Sequence, residues 1–153
     1  MNTDLFKFRV RSTKEESYGG YSASIHEDGH LSVHYWCKGE YATDTLGDGF
    51  EEGDYIIEKC TGLCDKNGKL IYEGDVVKNP AYPSVWFVVW VEDHARFDKI
   101  NLCSYLRMKK DFPQKSEKWI LNNTSSSAMT AEVEMECTEV IGNIHESKWG
   151  IEK

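Results

Sequence analysis

Apolar and polar residues alternate over several short segments of the chain, which is the pattern of half-buried β-strands. In residues 5–10 three apolar side chains fall on one face of such a strand. Residues 21–36 contain two alternating runs separated by Asp28-Gly29, a pair typical of β-turns, and predict a hairpin. Residues 132–137 alternate glutamates with apolar residues, which predicts an edge strand with an acidic outer face.

Two further segments predict the centre and the end of the fold. Residues 85–91 are apolar throughout, which predicts a central strand buried on both faces or a strand that crosses a subunit interface. Residues 100–106 are predicted to be its partner strand. Residues 140–144 are predicted to close the fold, with a bulge at Gly142.

Residues 60–77 read CTGLCDKNGKLIYEGDVV, and we call them the hairpin motif. Asn67-Gly68 predicts a type I′ turn, because both residues tolerate a positive φ. Gly74 permits a sharp bend, and the carboxylate of Asp75 can hold that bend by accepting backbone N–H groups. The structural residues predicted in this motif are Asp65, Asn67, Gly68, Gly74 and Asp75.

Two stretches carry a family resemblance. The first lies in the hairpin motif and consists of residues 61–63, 65–69 and 71–77. The second is residues 139–146, EVIGNIHE, which we call the closing motif. Together and in this order they resemble the signature of the YopX family of phage and prophage proteins. The resemblance implies a β-rich fold with a small barrel, a phage origin and no established activity.

Pattern and resemblance together predict a mainly β protein with few short helices. Residues 1–54 are predicted to form an N-terminal β-hairpin lobe, in which residues 38–54, rich in acids and poor in apolar groups, are a loop or linker. Residues 55–153 are predicted to form a YopX-like domain, a small SH3-like curved barrel. A chain of 153 residues is long enough to bury a core without disulfides.

Location and redox state are predicted from what the sequence contains. The N-terminal segment lacks the apolar core of a signal peptide, and no apolar run has the length of a membrane span. The 5 cysteines are odd in number and scattered, which indicates reduced, mostly buried thiols. We therefore expect a cytoplasmic protein that has no membrane partner.

Metal and catalytic sites are not favoured by the spacing of the candidate ligands. His30, His34 and Cys37 would suit a metal on a helix, but on a strand the two histidines lie about 13 Å apart. The acidic side chains of Asp65, Glu73 and Asp75 could hold Mg²⁺, although bonds to backbone amides in turns are the favoured reading. We expect no catalytic residue, no metal and no cofactor.

The charge of the chain is uneven. The net charge is −8, which opposes non-specific binding to nucleic acid. Residues 40–58 contain 7 acidic side chains and no basic one, whereas residues 96–118 contain 7 basic side chains and 3 acidic ones. With Tyr105, Phe112 and Trp119 the basic side chains resemble a surface for single-stranded nucleic acid. They are Arg96, Lys99, Arg107, Lys109, Lys110, Lys115 and Lys118.

These observations favour a non-enzymatic phage accessory protein that acts by protein–protein association. The partner is predicted to be a second copy of the chain, giving a homo-oligomer, or an unidentified phage or host protein. Binding of nucleic acid through residues 96–118 is the alternative and is not favoured, because the total charge has the wrong sign.

Overall fold

The computed structural model describes residues 8–12, 22–25, 31–37, 40–45, 55–124, 126–129 and 137–149. This part of the chain is mainly β, with eleven strands and two short α-helices. The chain divides into two compact units, an N-terminal unit of residues 6–59 and a C-terminal unit that contains residues 60–153. Among the described residues, no helix has the length and apolar character needed to cross a membrane.

The N-terminal unit contains a three-stranded antiparallel sheet in the order β2-β3-β4. Its strands are β2 (Ser22–Ile25), β3 (Leu31–Cys37) and β4 (Glu40–Thr45). The predicted hairpin is confirmed, because β2 pairs with β3 from Ser22 opposite His34 to Ile25 opposite Leu31. The prediction of a loop throughout residues 38–54 is wrong, since β4 pairs with β3 over its full length.

The N-terminal unit also holds β1 (Phe8–Ser12), which pairs antiparallel with the first half of β5 (Tyr55–Cys64). Arg9 and Glu58 are opposite each other in this ladder, and Arg9 Nε donates to Glu58 Oε2 at 2.6 Å. Glu58 is only 1% exposed, so this ion pair holds a buried carboxylate. The strand predicted for residues 5–10 is thus confirmed for residues 8–10 and continues to Ser12, while residues 5–7 lie outside the described part.

The C-terminal unit is built on a five-stranded antiparallel sheet in the order β10-β9-β8-β7-β11. Its strands are β7 (Asp75–Lys78), β8 (Val85–Val91), β9 (Arg96–Asn101), β10 (Ser126–Ala128) and β11 (Glu139–Asn143). The second half of β5 pairs with β6 (Leu70–Tyr72) to form the hairpin of the hairpin motif. The strand predicted for residues 132–137 falls on residues outside the described part, apart from Cys137.

Strand β8 is the central strand of this sheet, and both of its faces are covered, as predicted. Phe87 is opposite Val76 and Ile100 and belongs to a core cluster shared with the two helices. Val88, the next residue, points to the other face and packs in a second cluster that contains Ile71. The period of two therefore sends neighbouring residues into two different cores.

The partner strand of β8 is β9, so the prediction of that strand at residues 100–106 is wrong after Asn101, where a helix follows. Strand β9 ends at Asn101, whose side chain accepts a hydrogen bond from Ser104 N at 2.9 Å and so starts α1 (Leu102–Asp111). Helix α2 (Glu117–Asn122) begins in the same way after Ser116, whose hydroxyl accepts from Trp119 N at 3.3 Å. The apolar residues in 100–106 thus belong first to a strand and then to a helix.

The described strands do not close into a barrel. Strands β10 and β11 are the two edges of the five-stranded sheet, and they do not pair with each other in the described residues. The predicted bulge in the closing strand is confirmed, because the register of β11 against β7 shifts between Val140 and Gly142.

The turn of the hairpin motif is not of type I′. Gly68 has φ +77°, whereas Asn67 is not among the described residues with positive φ. Asp65 O accepts from Gly68 N at 3.0 Å, and Asp65 N donates to Lys69 O at 2.8 Å. Among the described residues of this turn, Gly68 is therefore the only one with a left-handed backbone, and the turn begins at Asp65.

We expect Gly68→Val to lower the free energy of unfolding by about 1–3 kcal/mol, because a β-branched residue is strained at this φ. A Cβ at Gly68 would meet nothing within 4 Å, so the cost comes from the backbone alone. Gly68→Asn is the matched control and should cost less, since Asn adopts the left-handed region more readily. Equal stability of both variants in denaturant unfolding would contradict this account.

Candidate functional site

The carboxylate of Asp65 connects the hairpin motif to the closing motif. Its Oδ1 accepts from Asn67 N at 2.9 Å and from Lys69 N at 3.0 Å. Its Oδ2 accepts from Val140 N at 3.1 Å, 75 residues away in the chain. One buried side chain therefore fixes a turn and the beginning of a distant strand.

The surroundings of Asp65 favour its ionised form. Burial alone would raise the pKa of the carboxyl, but the three N–H donors, from Val140, Lys69 and Asn67, and the charge of Lys69 together hold the pKa below its ordinary value of 3.8. This is the behaviour of a carboxylate that accepts several backbone hydrogen bonds.

A second connection between the two motifs runs through Gly74. Its N–H donates to Val88 O at 2.8 Å, and its carbonyl accepts from Ile144 N at 2.7 Å. Next to it, Asp75 Oδ2 accepts from Tyr72 N at 2.9 Å across the tight turn between β6 and β7. These bonds place the ends of both motifs side by side above the middle of β8.

An open pocket of about 320 Å³ lies where the two motifs meet the helices, and we call it the helix-side pocket. Strand β8 and the residues next to it supply most of the floor, and the helices supply one wall. The apolar side chains on this face belong to Phe87, Val89, Leu121 and Ile144, whereas Val88 borders the pocket with its side chain packed on the other face of the sheet. The polar and charged residues are Glu73, Tyr105, Lys109, Glu117 and His145, and Gly74 completes the lining.

Three of these polar side chains, those of Tyr105, Lys109 and Glu117, interact with one another. The Tyr105 hydroxyl donates a short hydrogen bond to Glu117 Oε1, while Lys109 Nζ lies 3.6 Å from Glu117 Oε2. Lys109 Nζ also lies 5.5 Å from the centroid of the Tyr105 ring. Burial, followed by the hydrogen bond to Glu117 and the charge of Glu117, raises the pKa of Tyr105 well above its ordinary value. The phenol therefore stays protonated and acts as a donor.

The turn that follows β11 positions His145 at the pocket. Asn143 Oδ1 accepts from His145 N at 3.1 Å, and Asn143 N donates to Glu146 Oε1 at 2.9 Å. Asn143 is 1% exposed, so the turn has a rigid base. Glu73 approaches the same pocket from the turn before Gly74.

The metal candidates are not gathered together by the fold. No group of three His, Cys, Asp or Glu side chains that could hold a metal ion occurs in the described part of the chain. His30 lies outside that part. Asp65 and Asp75 instead accept backbone N–H groups. Cys60 is buried, as expected, but Cys64, Cys103 and Cys137 are exposed. The expectation of mostly buried thiols is therefore wrong for these three cysteines.

The predicted basic residues lie on β9, on the two α-helices and in the segment between the helices. Arg96 Nε donates to Asp98 Oδ1 at 2.8 Å, and Lys99 is only 8% exposed. Lys118 Nζ lies 3.6 Å from Asp93. The remaining four are on or beside helix α1. Lys109 reaches the helix-side pocket, and Lys115 Nζ lies 5.0 Å from the centroid of the Trp119 ring. Arg107 and Lys110 are exposed.

Comparison with known proteins assigns the chain to a family. The family model described as YopX protein matches residues 7–148, which is most of the chain. The chain belongs to the YopX family. The resemblance carried by the hairpin and closing motifs is thereby confirmed, and it extends over the N-terminal unit as well. Curated proteins provide no significant match.

Two solved structures show that the fold is shared by other YopX-like proteins. The crystal structure of protein yopX from Bacillus subtilis has 18% sequence identity and a TM-score of 0.52, and the match covers 95% of this chain and 94% of that one. Protein EF1440 from Enterococcus faecalis has 21% identity and a TM-score of 0.53, with 93% and 94% covered. At these identities the likeness concerns the fold.

The helix-side pocket was not predicted from the sequence, although two of its polar residues lie in the family motifs. Glu73 belongs to the hairpin motif, and His145 belongs to the closing motif. Each stands in a turn beside Gly74 or Ile144, and the sequence alone does not show that these two turns are neighbours. Two chemically active side chains in turns that serve the same family signature are the signal that could have revealed the pocket.

We expect Asp65→Asn to lower the free energy of unfolding by about 1–3 kcal/mol near neutral pH, because the amide nitrogen would face Val140 N–H without accepting from it. The pKa of Asp65 is lowered on folding, so the carboxylate stabilises the fold above pH 3.8 and this contribution is lost as the pH falls through the lower, folded value. The difference between wild type and variant should therefore shrink in acid.

Denaturant unfolding at neutral and at acidic pH measures both effects. Asp93→Asn is the matched control, because that carboxylate is 61% exposed and its pair with Lys118 is long. An Asp65→Asn variant as stable as wild type at neutral pH would show that the bond to Val140 does not support the fold.

Proposed function

We propose that this YopX-family protein is a non-enzymatic protein that acts by protein–protein association and forms a homo-oligomer. The observation that carries the proposal is the helix-side pocket. Its apolar floor can receive a side chain of a partner, and its rim provides hydrogen-bonding groups that fix the orientation of that side chain. The family resemblance implies a phage origin, so a phage or host protein is the other partner considered.

The chemistry of the rim favours binding over catalysis. A general acid or base works best with a pKa near the working pH, but the pKa of Tyr105 is moved upward, away from neutrality. Glu117 is engaged by both Tyr105 and Lys109. These three groups therefore stabilise one another and do not form a pair of acid and base poised for proton transfer.

An exposed aromatic side chain supports association between copies. Tyr82, in the C-terminal unit, is 60% exposed. Tyrosine is enriched among the residues that contribute most of the binding energy of protein–protein interfaces. The uneven distribution of acidic and basic segments gives a second source of complementarity between copies. We propose that the C-terminal unit, which carries these surfaces, has the SH3-like curvature inferred from the sequence.

We expect the purified protein to have a molar mass that is a multiple of 17.6 kDa in light scattering and sedimentation. The mass should fall toward that of the monomer on dilution and should persist in high salt, because apolar contacts are little screened. Dissociation by salt alone would indicate that the charged segments hold the copies together. A monomer at every concentration would refute homo-association.

Binding of single-stranded nucleic acid is the second candidate, and one feature favours it. Arg107 and Lys110 are exposed on helix α1, near the exposed ring of Phe112. Filter binding to single-stranded DNA and RNA at low salt tests it, with Arg107→Glu and Lys110→Glu together as the variant and Lys69→Glu as the control. Binding that only the helix variant loses would favour this candidate over association.

A further inference from the structure

Tyr82 is held out into solvent by a short loop that is braced from within. The loop connects β7 and β8, and Asn79 O accepts from Tyr82 N at 3.1 Å while Asn79 Oδ1 accepts from Ala81 N at 2.9 Å. Pro80 and Pro83 lie on either side of Ala81 and Tyr82, and the ring of each proline fixes the φ angle of that proline. A pre-organised aromatic side chain of this kind loses little entropy when it is buried by a partner.

The helix-side pocket has the size and chemistry to accept a phenol ring. Its volume of about 320 Å³ is at the small end of ligand sites, which suits one aromatic side chain. Val89 and Leu121, which are partly exposed, offer apolar surface to the ring, whereas Phe87 and Ile144 are 3% and 8% exposed and contribute little. The phenol hydroxyl would meet acceptors at the rim, where Glu73 and Glu117 carry carboxylates.

A single copy does not fill its own pocket with Tyr82. Tyr82 is 60% exposed and is not among the residues that line the pocket. The loop ends where β8 begins at Val85, and Val89, which lines the pocket, is four residues further, or about 13 Å along the strand. The aromatic side chain and the pocket are thus separate features of the C-terminal unit.

Charge also matches the two features. Lys78, which immediately precedes the loop, is exposed. The charged side chains of the pocket are Glu73 and Glu117 against Lys109, so the rim is negative when His145 is neutral. A lysine beside the inserted ring would therefore approach a surface of opposite sign, which favours encounter in this orientation.

We infer that Tyr82 of one copy inserts into the helix-side pocket of a second copy. This inference rests on the proposed homo-association and names its contact. Because each copy carries one ring and one pocket at different places, the contact forms either twice in a reciprocal two-fold dimer or head-to-tail in a closed ring or an open chain of copies. One tyrosine buries only about 150–250 Å², so it acts as the anchor of a larger interface.

Two variants remove the two halves of this contact. Tyr82→Ala removes the ring and keeps the pocket, whereas Leu121→Trp fills the pocket and keeps the ring. Each should weaken self-association by about 30-fold or more, the effect of losing an interface anchor. Phe112→Ala is the matched control, because it removes an exposed aromatic side chain that does not line the pocket and should keep the wild-type mass.

An equal mixture of Tyr82→Ala and Leu121→Trp gives the decisive measurement by light scattering. At a concentration at which the wild type is associated and each variant alone is a monomer, the mixture should form particles of twice 17.6 kDa, because one variant still offers a pocket and the other still offers a ring. Glu117→Trp, at a half-exposed position on the rim, replaces Leu121→Trp if thermal melting shows that the latter does not fold.

The remaining outcomes separate this inference from the proposed function. Variants that keep the mass of an oligomeric wild type, or a mixture that stays monomeric, would overturn the contact between Tyr82 and the pocket and leave homo-association standing. A wild type that is monomeric at every concentration would overturn both.

Discussion

The C-terminal unit depends on hydrogen bonds that hold the closing strand β11 to the hairpin motif. Asp65 Oδ2 accepts from Val140 N, Lys66 N donates to Thr138 O at 2.8 Å, and Ile144 N donates to Gly74 O. In the described residues β11 is an edge strand that pairs with β7, so these bonds at its two ends fix its register. The hairpin and closing motifs are therefore explained by backbone geometry, which requires these turns and the buried carboxylates of Asp65 and Asp75.

The same geometry produces the surface on which the proposed function relies. Pairing of Gly74 with Ile144 brings Glu73 and His145 to one rim, and the helices add Tyr105 and its partners to the other side. The floor is the helix-side face of β8, which is also the central strand of the sheet. A site built on such a strand is well ordered, and the motifs can thus serve the fold and the binding surface together.

The parts of the fold that could be predicted from the sequence are those with a clear pattern of apolar and polar residues. The apolar run of β8 and the alternation of β2 and β3 have a clear period of two, so their structures were predicted. The polar strand β4 lacks such a signal, and its pairing with β3 is a tertiary effect. At Asn101 a strand changes directly into a helix, and the apolar spacing suits both. The helix-side pocket is lined by residues from several separate elements, and no local sequence pattern shows that these residues come together.

Amide hydrogen exchange of residues in the closing motif tests most directly whether the two motifs are locked together. The account predicts that the amides of Val140 and Ile144, bonded to Asp65 and Gly74, exchange as slowly as those of the central strand β8. It also predicts fast exchange for Gln114 in the exposed turn between the helices. Exchange of Val140 and Ile144 at the rate of Gln114 would contradict the claim that these bonds hold the unit together.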